Sequence, residues 1–293
     1  MIDLISRHKI SGSNDANTFS ILIPTWNNLA YLQLCINSIL QNSKYSHQII
    51  IIVNEGIDGT LAWVESQKFD YVYAKKNVGI CLALNACRSL ITTNYMAYAN
   101  DDMYFLPNWD EALLTEINNI GHNKFMLSST MIEPSGNNPC VVVQDFGDSI
   151  ETFREVDLLN NYSKLARNDW NGSTWPPNVM HIDCWDLVGG MSIEFSPGMY
   201  SDPDLSRKLW EIGVRTFIGK GNSLVYHFGC KSTKRIIKNR GHKTFIMKWG
   251  ITPKHFMNSF LLRGESAVNI LPEKTKTKGE MIIQLFKQLK SCF

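Results

Sequence analysis

The chain has 293 residues, of which 44% are hydrophobic and 19% are charged, and its formal net charge is +2. These values suit a folded protein with one large α/β domain and an appendage, or with two small domains. The net charge favours no nucleic-acid partner, and no basic stripe crosses the first 200 residues, which argues against a nucleic-acid enzyme.

The N-terminal residues contain no apolar core of signal-peptide length. No apolar run approaches the roughly 18–20 residues that span a bilayer. Seven cysteines are scattered without a CxxC pair. They are typical of reduced thiols and not of a disulfide framework or a zinc site. We therefore expect a cytoplasmic protein that contacts a membrane, if at all, from its inner surface.

The first part of the chain predicts alternating strands and helices. Residues 1–17 are polar and predict a loose leader. The apolar run Phe19–Ile23, stopped by Pro24, predicts a buried strand. Residues Gln48–Val53 predict a second strand of the kind found in parallel sheets. Helices are expected at about 29–41, 60–67 and 80–91, and further strands at 71–74 and 95–99. This alternation predicts a mostly parallel sheet with helices on both faces.

The later part of the chain is less regular. Helices are expected at 184–190 and 205–212, and a strand at 217–226 leads to His227. A basic stretch begins at Lys231, where we place a boundary near residue 230. The predicted units are thus a leader (1–17), a main domain (18–230, with halves 18–103 and 104–230) and a basic, partly helical extension (231–293).

Polar residues follow three of the predicted strands, at Thr25–Asn28, Asn54–Asp58 and Asn100–Asp102. Ligands of parallel sheets bind at the carboxyl ends of the strands, so one crevice could collect all three groups. Adjacent carboxylates after a buried strand suit Mg²⁺ or Mn²⁺, because these cations prefer oxygen ligands. A diphosphate can supply further oxygen ligands to the same cation. The alternative is a surface turn or a helix cap, where Asp is common.

Seven motifs in order resemble the signatures of family 2 glycosyltransferases, which are inverting enzymes with the GT-A fold. They are Ser20–Asn27, Val53–Thr60, Asn77–Gly79 with Asn85, Asn100–Asp102, Asp186–Met191, Tyr200–Leu205 and Val225–Gly229. The resemblance spans roughly residues 18–230. It implies a Rossmann-like GT-A domain with a mostly parallel central sheet, followed here by the basic helical extension.

The resemblance also implies roles for individual residues. Nucleotide-sugar contacts are expected from Pro24, Thr25, Asn54, Glu55, Asp58, Asn77, Gly79, Asn100 and Asp101. At Asn54 and Glu55 the family usually has an Asp against the base, so the base preference of this chain is open. Asp102 matches the metal ligand of the DxD-type motif, and His227 matches a histidine that reaches the metal or the pyrophosphate.

Asp202 matches the general base of the family, which removes the proton of the acceptor hydroxyl. Asp204 is the nearby alternative, and the sequence Asp202-Pro203-Asp204 also suits a plain helix start. Aromatic residues that could stack on acceptor sugars are Trp175, Trp185 and Tyr200, although tryptophan is equally common in cores. Lys231, Lys234 and Arg235 could cover the diphosphate as a flap, or form a solvated basic face.

The C-terminal segment 281–293 is amphipathic, with Ile282, Leu285, Phe286, Leu289 and Phe293 on one helical face. A basic amphipathic helix can lie on an anionic membrane, dock on its own domain or pair in a homodimer. The three alternatives remain open at this point.

The sequence therefore predicts a hexosyltransferase-type enzyme that uses Mn²⁺ or Mg²⁺. It would move a sugar from a nucleoside diphosphate, expected to be UDP, to a saccharide or lipid-linked saccharide in surface polysaccharide or glycoconjugate synthesis. Two alternatives are an inactive GT-A binding module and a sugar-nucleotide pyrophosphorylase. The latter should have a Gly-rich basic loop where this chain has Thr25–Asn28.

Overall fold

The computed structural model describes residues 4–12, 16–229, 239–274 and 278–292. In these residues one mixed sheet contains eleven strands. They are β1 (Ile5–His8), β2 (Phe19–Trp26), β3 (Gln48–Asn54), β4 (Asp70–Ala74), β5 (Tyr95–Tyr98), β6 (Met103–Phe105), β7 (Phe125–Glu133), β8 (Val142–Val143), β9 (Trp170–Asn171), β10 (Asn178–His181) and β11 (Thr216–His227).

Helices cover both faces of this sheet. They are α1 (Leu29–Asn42), α2 (Thr60–Ser66), α3 (Gly79–Ala86), α4 (Trp109–Ile120), α5 (Glu155–Asn161), α6 (Ile182–Val188), α7 (Ser201–Glu211), α8 (Gly241–Trp249), α9 (Pro253–His255) and α10 (Lys278–Cys292). Helix α9 continues into a π-helical turn, Phe256–Phe260. Among the described residues, no helix has both the length and the apolar character needed to cross a bilayer.

The strand order is β1-β4-β3-β2-β5-β10-β7-β11-β6, with β8 beside β7 and β9 beside β11. Strands β4, β3, β2 and β5 are parallel, as are β7 and β11, while β10 runs antiparallel between β5 and β7. The predicted α/β fold with a mostly parallel sheet is confirmed. Its parallel strands bring their carboxyl ends to one edge, where the candidate site lies.

Strand β2 continues past Pro24, where the sequence predicted its end. Pro24 is in register with Ile52 of β3, and the pairing extends to Trp26 opposite Asn54. On the other side, the pairing of β2 with β5 ends at Leu22. The last residues of β2 therefore form an edge on that side, and a strand edge tolerates proline. Thr25 and Trp26 are held at the sheet edge as a result.

The expectation of a loose leader is wrong for residues 5–12. Strand β1 pairs antiparallel with β4. The buried carboxylate of Asp70 accepts hydrogen bonds from the backbone N–H groups of Ile10 and Ser11, at 2.7 and 2.8 Å. It also pairs with the ammonium group of Lys9 at 2.9 Å. Such charge-assisted bonds fix this segment along the sheet edge.

The predicted boundary near residue 230 does not end the core. Phe245, Ile251 and Phe256 are fully buried in the main hydrophobic cluster, beside Leu205 and Leu209 of α7. The segment after α9 also returns to the sheet, because the backbone N–H of residue 271 bonds the carbonyl of residue 215 at 2.8 Å. Residues 239–271 therefore belong to the main domain.

Five cysteines in the described residues are buried free thiols: Cys35, Cys81, Cys87, Cys140 and Cys184. Desolvation by burial raises the pKa of the Cys81 thiol to about 12. A thiol with so high a pKa is neutral and inert near pH 7. These side chains therefore act as small hydrophobic residues of the core.

Candidate active site

A cleft of about 460 Å³ opens at the carboxyl ends of the parallel strands. The predicted site residues that line it are Pro24, Thr25, Asn54, Asn77, Gly79, Asn100, Asp101, Asp102, Trp175, Tyr200, Asp202 and His227. Asp102 and Asp202 thus open on the same cavity although 100 positions separate them. Three residues that the sequence analysis assigned to the site, Glu55, Asp58 and Trp185, do not line this cleft.

Strand pairing brings His227 to Asp102. Strands β6 and β11 run antiparallel with His227 opposite Met103, and the backbone N–H of Phe228 bonds the carbonyl of Asp102 at 3.1 Å. His227 Nε2 consequently lies 3.4 Å from Asp102 Oδ1, with both side chains nearly buried. The imidazole and the carboxylate form one polar group on the cleft wall.

Glu133 completes this group and was missed by the sequence analysis. It ends β7, whose residue Ile132 is in register with Tyr226 of the parallel strand β11. Glu133 and His227 are therefore neighbours at the ends of two adjacent strands. Glu133 Oε1 lies 2.7 Å from His227 Nδ1. A proton shared at Nδ1 leaves Nε2 as the nitrogen that faces Asp102. The only sequence signal was a carboxylate at the end of an apolar run.

The chemistry of this group fits a divalent cation. A carboxylate and an imidazole face each other, and a second carboxylate holds the other ring nitrogen, as is usual for histidines that bind metal. No cluster of three or more His, Cys, Asp or Glu residues with metal-holding geometry occurs in the described parts of the chain. Asp102 and His227 would thus supply two ligands, and oxygen atoms of a bound diphosphate would have to supply others.

The loops after β3 and β4 are hydrogen-bonded to each other at the cleft. Asn54 Oδ1 accepts a hydrogen bond from the backbone N–H of Val78 at 3.1 Å. Because that donor fixes the amide orientation, the NH₂ group of Asn54 is the part left for the cleft. Asn77 Oδ1 in turn accepts from the Gly79 N–H at 2.9 Å. These bonds hold the two loops as one wall.

Glu55 does not lie where a nucleotide contact was expected. Its carboxylate accepts hydrogen bonds from Trp26 Nε1 at 2.8 Å, from Asn27 Nδ2 at 3.2 Å and from the backbone N–H of Asn77 at 3.2 Å. The bond from Trp26 is the main reason that the pKa of Glu55 is lowered. Glu55 has a positive φ of 64°, which turns its side chain toward these donors. It organises the loops behind the cleft.

Asp58 is also outside the cleft. Its carboxylate accepts hydrogen bonds from the Thr60 hydroxyl at 2.6 Å, the Thr60 N–H at 3.1 Å and the Leu29 N–H at 2.9 Å. Burial raises its pKa, but these bonds outweigh burial and the net pKa is lowered. Asp58 therefore joins the first turns of α1 and α2.

Gly79 connects the loop after β4 to the loop that leads to Asp202. Its φ is +75°, and a Cβ at this position would lie 2.7 Å from Pro197 Cα. The next residue, Ile80, donates its backbone N–H to the Pro197 carbonyl at 2.8 Å. The backbone at Gly79 is thus closely approached by the backbone of Pro197. Glycine is required here by both the conformation and the lack of space.

Asp202 lies in the first turn of α7 and is partly exposed to the cleft. No hydrogen bond or ion pair to its carboxylate is formed by the residues that the structure describes. The surrounding protein desolvates this carboxylate and raises its pKa to about 7. A general base works best when its pKa lies near the working pH. The position therefore has the proton affinity that a base requires.

Asp204, the alternative base, is fully buried and occupied. Its carboxylate accepts hydrogen bonds from Ser192 Oγ at 2.6 Å and Trp249 Nε1 at 2.8 Å, and it pairs with Lys248 at 3.0 Å. These contacts tie α7 to α8. Asp204 does not line the cleft, so its arrangement is that of a structural carboxylate.

The expected acceptor residues divide between the cleft and the core. Trp175 and Tyr200 line the cleft, and the Tyr200 ring contacts His242 of α8 edge-on at 5.4 Å. Trp185 is 3% exposed and packs in the main hydrophobic cluster, where a Cβ on Gly190 would lie 2.8 Å from its ring. Trp185 does not line the cleft, because helix α6 turns this side chain inward.

The proposed basic flap falls at Lys231, Lys234 and Arg235, which lie outside the described residues. The segment that follows them supports the loop before α7. Asn239 Nδ2 donates hydrogen bonds to the carbonyls of Phe195 and Ser196 at 2.6 and 3.0 Å. The C-terminal part of the chain therefore helps to position the Asp202 loop.

Part of the sequence and the fold of the chain are similar to those of known proteins. Residues 20–144 match the model of glycosyl transferase family 2, so the family resemblance found in the sequence is confirmed. No curated protein matches the chain. Among solved structures, residues 1–349 of S. aureus TarS match with 12% identity and a TM-score of 0.56, over 79% of this chain and 65% of that one.

GalNAc-T7, crystallised with UDP, GalNAc and Mn²⁺, matches with 11% identity and a TM-score of 0.57, over 83% of this chain and 50% of that one. TarS 1–349 in complex with UDP-GlcNAc matches with 11% identity and a TM-score of 0.56, over 80% of this chain and 65% of that one. The chain thus spans 65% or less of each of these structures. The likeness confirms the GT-A fold.

Proposed function

We propose that this chain, whose residues 20–144 match glycosyl transferase family 2, transfers a sugar from a nucleoside diphosphate to an acceptor hydroxyl with inversion. The observation that carries the proposal is the shared cleft, on which Asp102, His227 and Asp202 all open. UDP is the proposed nucleotide, because similarly folded proteins were crystallised with UDP or UDP-GlcNAc.

Asp202 is the proposed general base. Its carboxylate accepts the proton of the acceptor hydroxyl while the hydroxyl oxygen attacks the anomeric carbon. The bond from that carbon to the diphosphate oxygen breaks in the same step, and the nucleoside diphosphate leaves with the bonding electrons. One displacement inverts the anomeric carbon, so no covalent intermediate with the protein is needed.

Asp102 and His227 are the proposed ligands of Mn²⁺ or Mg²⁺, with Glu133 holding the imidazole. When bound, such a cation neutralises charge that develops on the diphosphate leaving group. Asn54, Asn77, Asn100 and Asp101 are the proposed polar contacts of the nucleotide sugar. Pro24, Thr25 and Gly79 line the same part of the cleft. The Thr25 hydroxyl is buried and finds no hydrogen-bond partner among the described residues, which favours a ligand contact there.

Trp175 and Tyr200 are the proposed platforms for a saccharide or lipid-linked saccharide. Aromatic faces stack on the C–H groups of sugar rings and leave the hydroxyl groups free for polar neighbours. Tyr200 is on the Asp202 side of the cleft, since it directly precedes α7. An acceptor stacked there would present its hydroxyl toward the base. Synthesis of surface polysaccharide or glycoconjugate remains the proposed role.

The test is a panel of nucleotide sugars incubated with the chain and Mn²⁺ or Mg²⁺. We expect one nucleoside diphosphate to raise the melting temperature in the presence of the cation, and its sugar ester to be hydrolysed slowly without an acceptor. Asp102→Ala should abolish the cation-dependent part of the shift. Absence of any shift across the panel, or an unchanged shift in Asp102→Ala, would contradict the proposed donor site.

A further inference from the structure

Helix α10 contacts the rest of the protein through a polar side chain. Gln288 Nε2 donates a hydrogen bond to the Met247 carbonyl of α8 at 3.3 Å. Gln288 is half-buried, whereas the other side chains described in α10 are exposed. A surface helix ordinarily turns its apolar face to the core. In α10 the apolar side chains that the structure describes are exposed instead, and the half-buried side chain is the polar Gln288.

Five apolar side chains that the structure describes in α10 are exposed. They are Ile282, Ile283, Leu285, Phe286 and Leu289, with exposed fractions between 51% and 63%. Ile282, Leu285, Phe286 and Leu289 recur at helical spacing and form one stripe. Exposed stripes of this size mark a surface that binds a partner. Helix α10 thus meets α8 through Gln288, while this apolar face is exposed.

Charge separates the same end of the chain from the rest. Residues 231–293 contain 14 Lys and Arg against 3 Asp and Glu, a net charge of +11. Residues 1–230 contain 15 Lys and Arg against 24 Asp and Glu, a net charge of −9. The exposed apolar stripe therefore lies in a part of the sequence where basic residues outnumber acidic ones, and residues 272–293 alone contain five Lys and two Glu.

We propose that α10 is a docking surface for an anionic lipid bilayer, in which the helix lies in the plane of the interface. Its apolar side chains would enter the boundary between headgroups and acyl chains, and the surrounding lysines would meet the anionic headgroups. A symmetric dimer through this face would instead bring together two copies of the segment 272–293, each of which contains five Lys and two Glu. Charge complementarity thus selects the bilayer over a second copy.

The experiment measures binding of the full chain to large unilamellar vesicles by sedimentation. One set is pure phosphatidylcholine and the other contains about 30% phosphatidylglycerol, which gives the anionic surface that polybasic segments recognise. We expect at least roughly tenfold stronger partition to the anionic vesicles. Raising NaCl to about 0.5 M should weaken it, because salt screens the charges.

The test variant is Phe286→Gln/Leu289→Gln, which keeps the charge and removes two apolar side chains. Its partition should fall at least roughly tenfold. The matched control is Leu187→Gln/Ile193→Gln, which changes two side chains that are 69% and 62% exposed outside α10; its partition should stay unchanged. Circular dichroism and light scattering on all three proteins verify the fold and the oligomeric state.

Three results would overturn the proposal: equal binding by the α10 variant, equal binding to neutral and anionic vesicles, or a dimer that dissociates in the variant without any vesicle binding. Donor hydrolysis in the absence of vesicles is a separate measurement. Its failure would contradict the proposed function and leave the lipid surface unaffected.

Discussion

His227 Nδ1 lies 2.7 Å from Glu133 Oε1, and this contact ties the end of β11 to the end of β7 beside the cleft. The contact sets the rotation of the imidazole, so that Nε2 lies 3.4 Å from Asp102 Oδ1. Asp102, in the turn between β5 and β6, thus forms one preorganised group with Glu133 of β7 and His227 of β11. Glu133 acts on this group through His227 and is therefore a positioning residue.

Loss of Glu133 should weaken cation binding. Glu133→Gln keeps an acceptor for the Nδ1 proton but removes the charge, and Glu133→Ala removes both. We expect Mn²⁺ affinity in the presence of UDP to fall about tenfold and about a hundredfold, respectively. Electron paramagnetic resonance titration measures free Mn²⁺ directly and needs no turnover. Glu65→Gln, an exposed carboxylate in α2, is the control. Wild-type Mn²⁺ affinity in Glu133→Ala would remove Glu133 from this role.

Asp202→Asn should abolish transfer while leaving donor binding intact. Asn keeps the shape of the side chain but cannot take the hydroxyl proton, so kcat should fall by about a thousandfold. The donor dissociation constant, measured by calorimetry with the unreacted nucleotide sugar, should stay within about twofold, because Asp202 is proposed to act on the acceptor. Transfer at the normal rate in this variant would show that another group is the base.

The rate should depend on pH through Asp202. Burial raises the pKa of this carboxylate to about 7, and only the ionised form can act as a base. We expect kcat/KM to rise about tenfold per pH unit below pH 7 and to level off above it. The measurement is initial rate at low donor and acceptor concentration between pH 5 and about 9. A flat profile across pH 7 would contradict the assignment.

The same carboxylate should lower the stability of the protein at high pH. Its folded-state pKa of about 7 lies above the ordinary value of 3.8, so the folded protein binds the proton more tightly than the unfolded chain. The contribution of this proton to the free energy of unfolding is fully present below pH 3.8, and it is lost as the pH rises through 7. Asp202→Asn should therefore gain stability over the wild type, by about 2 kcal/mol at high pH, half the full linkage value because the side chain is partly exposed.

Urea unfolding of both proteins at acidic and alkaline pH measures this gain. The advantage of the Asn variant should be present above pH 7 and shrink toward pH 5. An advantage that does not change with pH would mean that packing, and not ionisation, distinguishes the two side chains.

The N-terminal half of the main domain followed from the sequence because its signals are local. Continuous apolar runs such as Gln48–Val53 identify strands of a parallel sheet, and the residues after them mark its carboxyl edge. Asp102 and Asp202 could therefore be assigned to one cleft. Trp185 and Asp58 could not be placed correctly, because side-chain direction depends on packing partners that are distant in sequence.

Strand β7 was missed for a different reason. It contains Ser128, Ser129 and Thr130, which break the apolar pattern that predicts buried strands. In the structure these hydroxyl groups are buried and satisfied: Ser128 bonds Ser173 at 2.6 Å, and Ser129 bonds Ser223 at 2.7 Å. Such partners lie far along the chain, so no local pattern reveals them. Because β7 was missed, Glu133 at its end was missed as well.

Gly79→Ala should disturb the donor loop and the base together. A Cβ at Gly79 would lie 2.7 Å from Pro197 Cα, and the +75° φ is strained for alanine. Because the Ile80 N–H bonds the Pro197 carbonyl, displacement of this contact moves the loop that leads to Asp202. We expect a loss of about 2–4 kcal/mol in stability, with a higher donor KM and a lower kcat in the same variant.

Gly121→Ala is the matched control for this variant. Gly121 has a similar φ of +67°, but nothing lies within 4 Å of its Cβ position, so alanine there meets the backbone strain without the clash. The free energy of unfolding of Gly121→Ala should fall by about 1 kcal/mol, and its KM and kcat should equal those of the wild type. The difference between the two variants, measured by urea unfolding and steady-state kinetics, isolates the contact with Pro197. Equal KM and kcat values in the two variants would mean that the two loops move independently. The positioning of Asp202 would then have to come from the α8 side, where Asn239 donates hydrogen bonds to the carbonyls of Phe195 and Ser196.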